Sequence, residues 1–324
     1  MKISIAMCTY NGARYLPDQL ASISSETRLP DEVIICDDAS GDETLTIIRS
    51  FAATSPFPVK VVANPIRLGS TRNFDQAINL SQGDLIFLSD QDDIWVAEKL
   101  AVMEELFINK PQVDLVFTDG ELIDDKGASL GHTLWEAYRF DSTCKQKIRC
   151  AAYELLDRRE VVTGATMAFR AKFKDLIRPI PEGLPVIHDG WIALMIAHAG
   201  KLDFIEEPLI KYRQHSSQQL GAPLQPGEPE SRLNQFTESI RRKTDFGLEL
   251  RKVEAVLQRM NAVSDRYTFI GKENVEKLLL HFRAREAISR TKLANVPAML
   301  REVFAGRYHR YSNGLSSMVK DILR

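Results

Sequence analysis

An apolar run, Leu85-Ile86-Phe87-Leu88-Ser89, breaks into Asp90-Gln91-Asp92-Asp93 before Ile94 and Trp95, placing three carboxylates within four positions. Carboxylates this close repel one another and persist only if exposed, partly protonated or neutralised by a cation. The apolar run is short enough for a single buried strand. At the end of such a strand Asp90 and Asp92, two apart, offer hard oxygen ligands suited to Mn²⁺ or Mg²⁺, cations that typically also hold substrate phosphates. The competing reading is a solvated turn in which Asp93 caps a helix starting near Val96.

Other side chains with chemical capacity stand at similar breaks. Thr9 and Tyr10 follow the apolar stretch Lys2–Met7, and Asp37 and Asp38 follow Glu32–Cys36. Further on come Thr163-Gly164, then His188-Asp189-Gly190-Trp191, then Tyr212-Arg213-Gln214-His215. A carboxylate such as Asp189 can act as a general base, but at the head of an apolar helix it is equally a plain N-cap. Trp191 reads as a sugar-packing ring or a core aromatic, and His215 as a ligand or an ordinary buried or surface histidine. Asp42 caps the helix after it.

The elements that must position these residues repeat as strand, loop and helix. Lys2–Met7, Glu32–Cys36, Val59–Ala63 and the run into Asp90 are predicted strands. Helices are predicted over Ala13–Ser25, Glu43 to about Phe51, Ser70–Leu80 and Val96–Asn109. Such alternation specifies an α/β fold with parallel strands, in which ligands lie beyond the carboxyl ends of the strands, where Thr9, Asp37 and Asp90 fall. No G-x-G-x-x-G follows the first strand and no P-loop motif occurs. A further strand is expected at Asp114–Thr118 and another within Val161–Arg170, after Thr163-Gly164-Ala165-Thr166, with helices at Ile148–Leu156 and Ile192–Ala199 and an irregular stretch over Ser129–Thr143.

The 324 residues fit one large domain with an appendage, and an apolar fraction of 44% is that of an ordinary globular chain. Three prolines and two glycines between Gly221 and Pro229 mark a linker, so residues 1–220 read as the catalytic domain and 221–324 as a helical region. Helices are expected over Ser231–Met260, Gly271–Ser289 and Asn295–Phe304, with a last amphipathic turn carrying Leu315, Met318, Val319 and Ile322. The net charge of −2 hides an asymmetry: residues 1–221 carry 23 Lys+Arg and 32 Asp+Glu, residues 222–324 carry 19 and 12. A basic tail of net +7 suits a phosphate-bearing surface, either anionic lipid or nucleic acid, and oligomerisation is its other expected use. Cys8, Cys36, Cys144 and Cys150 form no CxxC pair, which fits a reducing cytoplasm, and no apolar run approaches the roughly 20 residues that span a bilayer. A cytoplasmic protein, peripheral on the inner membrane face, is the expectation.

In order and spacing, Cys8-Thr9-Tyr10-Asn11-Gly12, Asp37-Asp38-Ala39-Ser40-Gly41-Asp42, Ser89-Asp90-Gln91-Asp92-Asp93, Thr163-Gly164, His188-Asp189-Gly190-Trp191 and Tyr212-Arg213-Gln214-His215 resemble the family 2 inverting glycosyltransferases with the GT-A fold. Bacterial O-antigen and capsule enzymes, rhamnosyltransferase-like members included, are the most similar subgroup. The resemblance covers about residues 1–220. It implies a Rossmann-like, mostly parallel mixed sheet and a UDP- or dTDP-linked sugar donor, with a saccharide or lipid-linked saccharide acceptor and no nucleic acid. It implies that Thr9, Tyr10, Asp37, Asp38 and Arg72 hold the nucleoside, Asp37 accepting the base imide N–H. Asp90 and Asp92 would form the DxD motif, Asp92 on Mn²⁺ or Mg²⁺ and Asp90 nearer the ribose or sugar. His215 would be a further metal ligand, Asp189 the catalytic base, and Thr163, Gly164 and Trp191 the acceptor side. A sugar-phosphate nucleotidyltransferase and a non-catalytic nucleotide-binding, membrane-docking protein are the competing functions.

Overall fold

The computed structural model describes residues 1–218, 221–222, 246–291, 296–312, 314, 317–319 and 321. Most of the expected linker, the expected helix before Phe246, and Leu315 and Ile322 lie outside them. The chain divides into two compact units, Met1–Glu182 with Val186–Pro226, and Gly183–Pro185 with Gly227–Arg324.

In the first unit the strands are β1 (Ile3–Thr9), β2 (Glu32–Asp37), β3 (Val59–Ala63), β4 (Leu85–Ser89), β5 (Ile94–Trp95), β6 (Leu115–Ile123), β7 (Ser129–Thr133), β8 (Met167–Arg170) and β9 (Leu202–Arg213). They form one mixed sheet in the order β3-β2-β1-β4-β8-β6-β9-β5, with β7 on β6. β1 pairs in parallel with β2 and β4, and β2 with β3, so their carboxyl ends share one edge. β8 runs antiparallel between β4 and β6, and β9 is parallel to β6. Every residue of β1 and β4 is buried, as expected of a central strand covered on both faces. Fully burying each Ile, Leu or Phe in them contributes about 1.5–3 kcal/mol.

Helices α1 (Leu16–Ser24), α2 (Thr44–Thr54), α3 (Ser70–Leu80) and α4 (Lys99–Asn109) follow the first strands, and α8 (His188–Ala199) precedes β9. Two expectations change. The helix predicted from Val96 starts at Lys99, because Ile94 and Trp95 form β5 and pair with Lys211 and Ile210 of β9. The stretch Ser129–Thr143, expected to be irregular, holds β7 and helix α5 (Leu134–Tyr138), and α6 (Ser142–Leu156) begins there. Thr133 and Glu136 close a capping box on α5, and Trp135 buries against Phe117, Phe140 and Phe204. The short α7 (Lys174–Ile177) leads towards α8.

The second unit contains α9 (Phe246–Ala262), α10 (Lys272–Thr291), α11 (Val296–Phe304) and α12 (Arg307–Tyr311). Its interior is polar as well as apolar. Buried Arg285 forks onto Asp321 at 2.7 and 2.9 Å, and His281 bridges Glu302 and Ser312. No described helix is long and apolar enough to cross a membrane.

Candidate functional site

The carboxyl ends of β1, β2 and β4, the loop before α3, the turn before β8, the first turn of α8 and the end of β9 surround one cavity of about 560 Å³. Of the residues singled out in the sequence, Thr9, Tyr10, Asp38, Asp90, Asp92, Thr163, Asp189 and His215 line it.

One end is built from β1 and β2. Asp37, fully buried, accepts the Thr9 hydroxyl at 2.9 Å and the Ser40 amide and hydroxyl at 3.0 and 2.6 Å. Its carboxylate is spent on bracing the loop and is absent from the cavity wall, which corrects its expected role on the nucleobase. Asp38 takes that position, held by the amides of Leu68 and Gly69 at 2.6 and 2.8 Å. Arg72 also moves out of the set. It sits one turn into α3, ion-paired with Glu182 and outside the lining, while Arg67 lays its guanidinium 3.9 Å from the centroid of the Tyr10 ring. Choosing between these arginines requires knowing where α3 starts. Gln91 then fixes Tyr10 by both backbone groups, accepting its N–H at 2.8 Å and donating to its carbonyl at 3.0 Å. A Cβ on Gly12 would lie 2.1 Å from the Gln91 Oε1, so a larger residue there would displace the amide that holds Tyr10.

The middle is acidic. Burial, then the charges of Asp92 and Asp189, push Asp90 up to about 8. Its carboxylate has no hydrogen-bond partner among the described residues. Asp92 Oδ2 lies 2.8 Å from His215 Nε2, and Ser217 contacts the other ring nitrogen at 2.9 Å. Asp93 caps no helix: its Oδ1 accepts the Arg213 amide at 3.0 Å. Arg213, buried at the end of β9, donates to the Asp92 carbonyl at 2.7 Å and to Asp18 at 3.0 Å. The β5–β9 pairing therefore brings His215 onto a loop 123 residues earlier. Among the described residues no three His, Cys, Asp or Glu side chains are arranged to hold a metal ion by themselves. The oxygen of Asp92, the imidazole of His215 and unpaired Asp90 nevertheless suit a divalent ion that completes its shell with phosphate and water oxygens.

The other end belongs to α8. Asp189 stands in its first turn and accepts the Gly164 amide at 3.0 Å. A Cβ on Gly164 would meet the Asp189 Cβ at 3.2 Å and His188 Nε2 at 3.3 Å. His188 stacks on Phe74 with centroids 4.0 Å apart, and burial lowers its pKa. Tyr138, Glu160, Val161 and Val162 complete this wall. Trp191 is not part of it. Only 1% exposed, it donates its indole N–H to the Ile177 carbonyl at 2.8 Å, so the acceptor-packing role fails and the core reading stands.

Residues 4–169 match Glycosyl transferase family 2. The chain belongs to that family. An uncharacterized glycosyltransferase of Nostoc is 24% identical over 234 residues, covering 67% of this chain and 66% of the relative. The dTDP-rhamnosyl transferase RfbG of Shigella flexneri is 35% identical over 98 residues, 29% of this chain and 34% of that one. The chain thus spans about two thirds or less of the length of these relatives. Among solved structures, the mannosyltransferase PcManGT from Pyrobaculum calidifontis, in complex with GDP-Man and Mn²⁺, superposes with a TM-score of 0.52 at 14% identity, covering 99% of this chain and 86% of that one. At that identity the likeness speaks for the fold, and the GT-A expectation for this glycosyl transferase family 2 member is borne out.

Proposed function

We propose that the chain is an inverting glycosyltransferase moving a sugar from a UDP- or dTDP-linked donor to a saccharide or lipid-linked saccharide in cell-surface polysaccharide synthesis. The observation that carries this reading is the alignment of three chemistries along one cavity: Asp38 with Tyr10 and Arg67, then Asp90, Asp92 and His215, then Asp189.

In this reading Tyr10, Arg67 and Asp38 hold the base, Asp38 accepting its imide N–H, and Thr9 and Asp37 keep the loop in place. Asp90 and Asp92 face the diphosphate and His215 joins Asp92. A divalent cation held there would neutralise the charge that develops on the departing diphosphate. Asp189 takes the proton of the acceptor hydroxyl as its oxygen bonds to the anomeric carbon. The bond from that carbon to the phosphate oxygen breaks on the opposite face, its electron pair leaving with the nucleoside diphosphate. A positioned base of this kind contributes about 10²–10⁴-fold. The Gly164 amide orients the carboxylate, and Thr163, Tyr138 and Glu160 border the acceptor.

The second unit, with the excess of positive charge in residues 222–324, we assign to the cytoplasmic face of a membrane that carries the lipid-linked acceptor. Mixing the full chain with each of several nucleotide sugars, Mn²⁺ and a lipid-linked acceptor tests the reading. Release of UDP or dTDP that stops on chelation is expected. No release from any donor, with no nucleotide bound, would overturn it.

A further inference from the structure

Lys99 opens α4 with a side chain that water does not reach. Its ammonium donates to the Ala165 carbonyl at 2.6 Å and lies 3.9 Å from the centroid of the Trp95 ring. A methionine would fill the same volume without desolvating a charge, so packing alone does not account for a lysine here. Two groups of residues do. On one side stand Glu26, Asp93 and Asp90, whose charges favour the ammonium while burial pushes it down to about 7. Glu26 Oε1 and Asp93 Oδ2, near the ammonium, are buried with no hydrogen-bond partner.

On the other side is the short 3₁₀ turn Gly164–Thr166, closed by the Thr166 amide and hydroxyl on the Thr163 carbonyl at 3.0 and 2.8 Å. Lys99 grips the carbonyl of Ala165, and the amide of the adjacent Gly164 holds Asp189. The ammonium, within electrostatic reach of Asp90 and Asp93 and against the Trp95 ring, thus bonds the turn that holds Asp189.

We propose that Lys99 is a positioning residue that sets the spacing between the acidic, diphosphate-side loop and the acceptor-side carboxylate Asp189. The inference rests on the roles assigned above to Asp90, Asp92 and Asp189. Lys99 touches no substrate and acts through the Ala165–Gly164 turn. Displacing a reacting group by about 1 Å costs on the order of 10²-fold in rate, so the loss belongs in kcat rather than in donor affinity.

The test is Lys99→Met in the full chain. The account expects kcat for transfer to fall about tenfold to a hundredfold while the Kd of UDP or dTDP with Mn²⁺ stays within about threefold. Backbone amide exchange at Gly164 should accelerate. An unchanged kcat well below Tm, or a parallel loss of nucleotide affinity, overturns the inference. Should Lys99→Met fail to fold, Lys99→Gln, neutral but still a donor, supplies the same readouts, and wild-type kcat with wild-type exchange at Gly164 sinks it. A wild-type chain inactive with every donor would instead overturn the glycosyltransferase reading, and Gly164 exchange would then decide the positioning role alone.

Discussion

His215 Nε2 and Asp92 Oδ2 stand 2.8 Å apart although 123 positions separate them, so the segment just past β9 closes on the loop that follows β4. In the proposed function this imidazole and carboxylate are part of a divalent-cation shell that the donor diphosphate would help to complete. His215→Ala should weaken Mn²⁺ binding in the presence of UDP or dTDP by about tenfold or more, measured by equilibrium dialysis. Unaltered Mn²⁺ binding would make the pair a structural clasp.

Asp189 is held by the Gly164 amide and faces the cavity, so its replacement by asparagine preserves shape and removes the carboxylate proposed as the base. Transfer by Asp189→Asn should fall about 10²–10⁴-fold while nucleotide affinity is kept. Transfer at the wild-type rate would remove Asp189 from the mechanism.

Trp191 belongs to the core of α8, with its indole N–H on the Ile177 carbonyl. Trp191→Phe leaves that buried carbonyl without its donor and should cost about 1–3 kcal/mol of stability. Acceptor KM should not move. A raised acceptor KM at full stability would restore Trp191 to the binding surface.

Glu26 is buried beside Lys99, and desolvation pushes its carboxyl up to about 8. A carboxyl whose folded pKa is raised contributes stability that is complete below its unfolded value and is lost as pH climbs through the folded one. In Glu26→Gln that loss disappears, so the variant's Tm should gain on wild type between about pH 5 and pH 8.5. A Tm difference independent of pH would show that Glu26 does not retain its proton there.

How far the sequence reaches can be judged from particular residues. The run Leu85–Ser89 into Asp90 and Asp92 identified a central strand and its acidic end, because local hydrophobicity and charge decide both. The strand-helix alternation likewise foretold β1 to β4 and the edge on which Thr9 and Asp90 meet. Asp37 and Asp38 were not separable in this way. Adjacent residues at a strand end point to opposite sides, and only the Ser40 and Thr9 hydroxyls show which carboxylate is consumed. Trp191, Arg67 and Lys99 were hidden for a related reason. Whether a side chain enters a cavity or the core depends on helix starts and on partners far along the chain, such as Ile177, Tyr10 and Ala165.

The most direct test of a divalent ion and a nucleoside diphosphate meeting at Asp90 and Asp92 is calorimetric titration of UDP and dTDP into the full chain, with Mn²⁺ and with chelator. The account predicts binding of at least one nucleotide with Mn²⁺, lost on chelation and in Asp92→Ala. Equal affinity in all three conditions, or no binding in any, would contradict it.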